Sequence, residues 1–318
     1  RPVIGLSQAR RLIQTHDVQV FAGFTFSSVL MAVQKTIASA NRVMISSLAA
    51  ASPMAGSRCT VFYTTTAAQT SQWGETIGRT MMDDGVKRVF AMAPNYQAGK
   101  DTIAGFKRFY SGGDAGQILF KIGQSDFQAD ISRVRAANPD ALFIFAPGAM
   151  GIAFVKQWAA SGAGKNIRVY TVGVLDALTV SVTRDAAVGI ALTTNWDAAS
   201  KEPANRRFLK DYLAKHRRPP TFYAAYAYDS ARLLAAATRK VGGKVDDRLR
   251  LAHAVRRTPF ASVRQGLSFN VNGFPIQNWF KATIVPVGDK KAAIKVGGVV
   301  VREMKDSYWS KCPKSNRY

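Results

Sequence analysis

Cysteine, histidine and acidic side chains are scarce in this 318-residue chain, which has 2 Cys, 3 His and 20 Asp+Glu. Two cysteines exclude a disulfide-rich scaffold. The histidines, His16, His216 and His253, lie far apart, and none has metal-ligand spacing to Cys, Asp or Glu, so no metal site is expected. Acidic residues adjoin only at Asp83-Asp84 and Asp246-Asp247. These fall at a helix end and a helix start, where capping and solvation explain them better than acid–base chemistry. No apolar run reaches about 18 residues, which excludes a helix spanning a bilayer. G-x-S-x-G and G-x-G-x-x-G motifs are also missing. Gly162-Ala163-Gly164-Lys165 follows a helical segment and reads as a C-cap turn, not a phosphate loop. An enzyme is therefore not expected, and no cofactor is implied.

What is present is a folded chain's composition, 47% hydrophobic and 20% charged, long enough for about two domains. The 44 Lys+Arg give a formal charge of +24, and 25 of these cations against 8 acids fall after residue 200. Without a Cys/His finger, an RNP-type pattern or a run of five basic residues, this surplus reads as solvated helical surface. No nucleic-acid partner is expected.

Helical and strand patterns alternate along the chain. Apolar strands at 18–21, 43–45, 88–93, 118–122, 140–145, 169–172 and 189–196 are interleaved with amphipathic runs at 29–40, 70–84, 96–110, 126–137 and 150–161. Helices follow at 203–216, 222–241 and 246–256, then strands at 267–269, 279–286 and 296–301. This is the pattern of parallel, doubly wound α/β sheets. A changeover near Gly112-Gly113-Asp114 implies two lobes with a hinge and a cleft between them. Residues 1–115 plus 219–278 are assigned to the first lobe, and 116–218 plus 279–318 to the second. Cys59 and Cys312 are either unrelated thiols or, in an oxidising compartment, one bridge.

Six segments carry a family resemblance: Ala9-Arg10-Arg11-Leu12-Ile13, Gly23-Phe24-Thr25-Phe26-Ser27-Ser28, Asn95-Tyr96-Gln97-Ala98-Gly99-Lys100-Asp101, Ser125-Asp126-Phe127, Asn138-Pro139-Asp140-Ala141-Leu142-Phe143 and Tyr228-Asp229-Ser230-Ala231. In this order they resemble the type I periplasmic binding proteins, and within them the branched-chain amino-acid-type receptors of ABC importers. The Asn95–Asp101 stretch and the tail Asp306-Ser307-Tyr308 to Cys312 are similar to a subgroup associated with aromatic carboxylates.

The resemblance implies a receptor that closes two lobes over a small carboxylate and hands it to ABC permease subunits. Alternatives are a branched-chain amino-acid receptor and the ligand-sensing domain of a regulatory system. It also implies a periplasmic location and, with export, a Cys59–Cys312 disulfide. Ser27, with Phe24, Phe26 and Ser28 in its loop, matches the family's carboxylate-binding serine, since a helix N-terminus favours an anion. Ala49 and Ala51 fall in the second carboxylate loop, with Ala51 where the family often has threonine. Family tyrosines are replaced by Ala98 and by Ala146 or Pro147, leaving Tyr96 as a substitute. The glutamate that receives an α-ammonium aligns with Leu175 or Asp176. With Leu175 there, a zwitterion's ammonium has no partner, so an aromatic or apolar monocarboxylate fits better than leucine. Phe24, Phe26, Tyr96, Pro147 and Met150 are expected around its apolar body. The family places a βαβ unit, on the order of 30 to 50 residues, before the helix that here starts near Ser7, and that unit and a signal peptide are expected to be absent.

Overall fold

The structure, a computed structural model, describes residues 1–317. The chain begins with α1 (Pro2–Gln14), β1 (Val20–Gly23), α2 (Ser27–Ser39), β2 (Val43–Ser46), the single turn α3 (Ser52–Ala55) and β3 (Tyr63–Thr65). It continues with α4 (Thr70–Asp83), β4 (Arg88–Pro94), α5 (Gln97–Phe109), β5 (Gly113–Phe120), α6 (Gln128–Ala137), β6 (Ala141–Phe145) and α7 (Ala149–Ser161). Then come β7 (Arg168–Val172), α8 (Ala177–Thr183), β8 (Ala191–Thr194), α9 (Pro203–His216), α10 (Phe222–Lys240) and α11 (Arg248–Arg257). Strands β9 (Ser268–Phe269), β10 (Pro275–Pro286) and β11 (Ala292–Met304) complete the order. Gly162, left-handed at φ 68°, closes α7, as the C-cap reading of that segment requires.

The strands form two sheets. The small one is parallel, in the order β1-β2-β3. The large one runs β11-β10-β8-β7-β6-β4-β5, with β9 paired to β10. Its β5, β4, β6, β7 and β8 are parallel, while β10 and β11 add an antiparallel edge. This is the α/β, doubly wound architecture expected from the alternating pattern.

Period-two alternation explains how each central strand feeds two cores. In β6, Leu142 and Ile144 pack with Phe127, the N-cap of α6, and Phe154 of α7, while Ala141, Phe143 and Phe145 pack with Ile77 of α4 and Phe106 of α5. In β2, Met44 joins Leu30, Val33 and Ile37 of α2, whose spacing makes one helical face. Val43 and Ile45 point the other way, onto Leu233 of α10 and Val255 of α11. Helices α4 and α5 approach so closely that a Cβ on Gly74 would lie 1.9 Å from the Thr102 carbonyl oxygen. One on Gly105 would lie 2.1 Å from that of Ser71, so neither position tolerates a side chain.

One boundary expectation is corrected. β4 and β5 flank the supposed changeover at residues 112–114, yet they pair with each other in the large sheet. The change of sheet falls between Thr65 of β3 and Thr70 of α4, because α4 packs with the large sheet's core. Residues 88–115 thus belong with the large sheet and not with the small one. The chain passes between the sheets again after β8 and around β9 and β10.

Buried polar groups pin these passages. Arg264 donates to Asp229 (3.0 Å), the Thr66 carbonyl (2.6 Å) and Gln277 (2.8 Å), and both ion-pair partners are buried. Such a pair, fully hydrogen-bonded, fixes one arrangement, and loss of either partner strands a buried charge. Ser230 Oγ lies 2.7 Å from Thr66 Oγ1 beside it. The disulfide is present: Cys59 and Cys312, 5.3 Å apart at Cα, tie the segment after β11 to the loop before β3. No helix among the described residues is long and apolar enough to cross a membrane.

Candidate functional site

Three helices begin at one cavity of about 420 Å³. Phe26, Tyr96 and Gly148 are the N-caps of α2, α5 and α7, and none caps its helix with a side-chain hydrogen bond. The residues just inside, Ser27, Ala98 and Met150, all line the cavity. Helix starts carry unpaired N–H groups and a positive dipole end, so three of them converging make an environment for negative charge. One of these donors is used: the Ala98 N–H donates to Ser27 Oγ at 3.1 Å, joining α2 to α5.

Among the described residues, no charged side chain lines the cavity. On the small-sheet side, Thr25, Ser47 and Ala49 border the cavity. Ser47 Oγ donates to the Gly23 carbonyl at 3.3 Å, and Thr70 Oγ1 donates to the Ala50 carbonyl at 3.0 Å. Facing them, Tyr96 stacks on Phe145 with ring centroids 6.5 Å apart and meets Phe26 at 6.3 Å. Trp73 lies between Trp279, edge-on at 4.9 Å, and Phe222 at 5.6 Å. Burial raises the pKa of both Tyr96 and Tyr223, and the negative charge of Asp176 adds to the effect at Tyr223. Both phenols therefore stay protonated donors, and neither hydroxyl has a partner among the described residues.

Of the residues singled out in the sequence, Phe26, Ser27, Ala49, Tyr96, Pro147 and Met150 meet at this cavity. Phe24, Ser28, Ala51 and Asp176 do not line it. Phe24, at φ 63°, packs on the small-sheet core while its carbonyl accepts from Ala49 N. Ser28 is the second residue of α2, and Ala51 is the fully buried N-cap of α3. Asp176 caps α8, with Oδ1 accepting from Leu178 N and Thr179 N, each at 2.8 Å, and it borders a neighbouring cavity. Sequence reasoning missed Thr25, Trp73, Phe145, Phe222 and Tyr223 among the lining residues. The adjacent rings Phe222-Tyr223, just after Pro219-Pro220-Thr221, are the one signal that marks a helix start rich in aromatics.

The cleft between the parts carries a second polar contact. Ser52, at the start of α3, donates from N and Oγ to Asp101 of α5, at 2.8 and 2.7 Å. Gln97 Nε2 adds a third donor at 2.9 Å. Burial holds the Asp101 carboxyl above its ordinary pKa, an effect these donors partly offset.

A family model described as "Periplasmic binding protein" matches residues 1–291. A Leu/Ile/Val-binding protein homolog 6 of Brucella melitensis is 25% identical over 277 residues, covering 85% of this chain and 70% of that protein. A solute-binding protein of an ABC transporter from Rhodopseudomonas palustris BisB5, solved in complex with 3,4-dihydroxybenzoic acid, is 27% identical with a TM-score of 0.89. That match covers 96% of this chain and 85% of the other. Another R. palustris solute-binding protein, solved with benzoate, shares the fold at 24% identity and a TM-score of 0.91, over 98% of this chain and 85% of its own.

Proposed function

The chain belongs to the periplasmic binding protein family, and from that membership we propose that it captures a small aromatic monocarboxylate at the cavity beside Ser27. The family and the structural neighbours are solute-binding receptors of ABC transporters, not enzymes. The carrying observation is the pairing of uncapped helix starts and hydroxyls with aromatic walls, in a lining without a charged side chain. A carboxylate finds N–H and O–H donors there, and a ring finds apolar surface. An amino acid's ammonium finds no carboxylate, because Asp176 borders the next cavity and is held by the α8 N-terminus. Leaving that cation unpaired costs several kcal/mol. The relative named for Leu/Ile/Val binding supports the competing amino-acid ligand.

In this reading the parts built on the two sheets close over the ligand, and the Ser27–Ala98 and Ser52–Asp101 contacts hold the closed form. The receptor acts in the periplasm and delivers its cargo to the permease subunits of an importer. A thermal-shift series with benzoate and 3,4-dihydroxybenzoate against leucine, isoleucine and valine tests the ligand. An acid at 100 times its Kd stabilises the protein by about 2.7 kcal/mol. Stabilisation by leucine with none by either benzoate would overturn the aromatic assignment.

A further inference from the structure

We propose that a second cavity, of about 870 Å³, is a separate binding site for an amphipathic carboxylate with a flexible aliphatic tail. It lies between α8, the turn Arg217–Pro220 after α9, and the β10–β11 hairpin. Phe222 stands between the two cavities and lines both. The Gly173–Asp176 segment completes the partition, with Gly173 facing the first cavity and Leu175 and Asp176 the second.

The lining chooses the occupant. Leu192, Leu209, Val285 and Ile294 give a mainly aliphatic interior beside the rings of Trp196 and Phe222, where the first cavity is walled chiefly by rings. Leu178 and Val287 stand at its border 46% and 56% exposed, so an apolar tail laid against them removes their surface from water. Three cations also line the cavity, Arg217, Arg218 and Lys295, and none of these side chains has an ion-pair or hydrogen-bond partner among the described residues. The two acids present are turned to backbone donors: Asp176 to the start of α8, and Asp197 to Ala199 N at 2.8 Å. Free cations beside an aliphatic pocket suit a carboxylate head on an alkyl chain. The cavity's size lies within the range of small-molecule sites. Because Leu209 of α9 packs with the small-sheet core and Ile294 of β11 with the large-sheet core, an occupant bridges the two parts of the molecule.

Isothermal titration with decanoate tests the site, with and without saturating benzoate. The expected result is one decanoate per chain in both conditions. Leu178→Glu and Val287→Glu, both at exposed positions that the fold tolerates, each weaken it by at least roughly tenfold, because a carboxylate then faces the tail. Arg218→Ala weakens it by a smaller factor. The benzoate thermal shift stays unchanged in all three variants. Decanoate displaced by benzoate, or bound equally well by both glutamate variants, would overturn the second site. Loss of benzoate binding alone would count against the first cavity's assignment while leaving the decanoate stoichiometry readable.

Discussion

One wall of the first cavity comes from the small sheet and its loops, Thr25 to Ser27 and Ser47 to Ala49; the other comes from the large sheet, with Tyr96, Phe145, Pro147 and Met150. The first wall sets the short side chains of Thr25, Ser27, Ser47 and Ala49 beside Phe26 and Leu48 around the start of α2, so hydroxyl and backbone groups reach the cavity. The second has rings in contact with one another, Tyr96 on Phe145, with two further helix starts behind them. A site divided this way separates its tasks. On the proposed reading, recognition of the carboxylate belongs to the wall whose donors are common to any such acid, and discrimination among tails to the wall whose shapes can vary.

Placing a carboxylate on the first wall should break this division most completely. Aspartate suits the first turn of a helix, so Ser27→Asp leaves α2 intact. It sets like charge against the ligand's carboxylate, a repulsion of about 4 kcal/mol at 4 Å and an effective dielectric of 20. Benzoate affinity, measured by calorimetry, should fall more than about 100-fold. Ser27→Ala, which removes a hydroxyl and the acceptor of Ala98 N, should cost about 1 kcal/mol. Affinity within tenfold of wild type in the aspartate variant would move the anion site away from this wall.

A change on the second wall should be smaller and selective. Tyr96→Phe keeps the ring against Phe145 and removes a hydroxyl that has no partner among the described residues. Benzoate should bind the variant about as well as wild type, whereas 3,4-dihydroxybenzoate should lose about 0.5–1.5 kcal/mol. An equal loss on both acids would mean that this phenol holds the shared carboxylate, and the two walls would then share one task.

How far each wall could be read from the sequence follows from its chemistry. The first announces itself locally, since Gly23-Phe24-Thr25-Phe26-Ser27-Ser28 is a turn running into a helix, and both Phe26 and Ser27 reach the cavity. Much of the second wall is assembled over long range. Trp73 on α4 and Phe145 on β6 occupy positions that local periodicity assigns to ordinary packing, and only their place in the large sheet brings them to the cavity. Phe222 and Tyr223 arrive where the chain passes between the parts. The misplaced changeover has the same origin, because an apolar strand such as β4 looks alike in either sheet until its partner is known. Asp176 shows the reverse limit. An acid aligned with an ammonium-binding glutamate also fits the cap of α8, where Thr179 returns a bond to the Asp176 N–H at 2.7 Å.

The smallest expected effect concerns the contact that joins the two sides, Ser52 to Asp101. Asp101 is buried, and burial raises its folded pKa above the ordinary value of 3.8. The stability contributed by this linkage is complete below the unfolded pKa and is lost as pH rises through the folded one. Asp101→Asn does not titrate there, so the difference in Tm between variant and wild type should move in the variant's favour as pH climbs across that window. Burial also raises the carboxyls of Glu75 and Asp306, but these titrate in both proteins and drop out of the difference. Exchanging a carboxylate for an amide also alters the bonds from Ser52 and Gln97, which shifts the baseline without adding a slope. The test is therefore the slope of that difference, read from thermal melts in matched buffers. A slope of the opposite sign would mean that the three donors outweigh desolvation, making the ionised carboxylate the form that holds the two walls together.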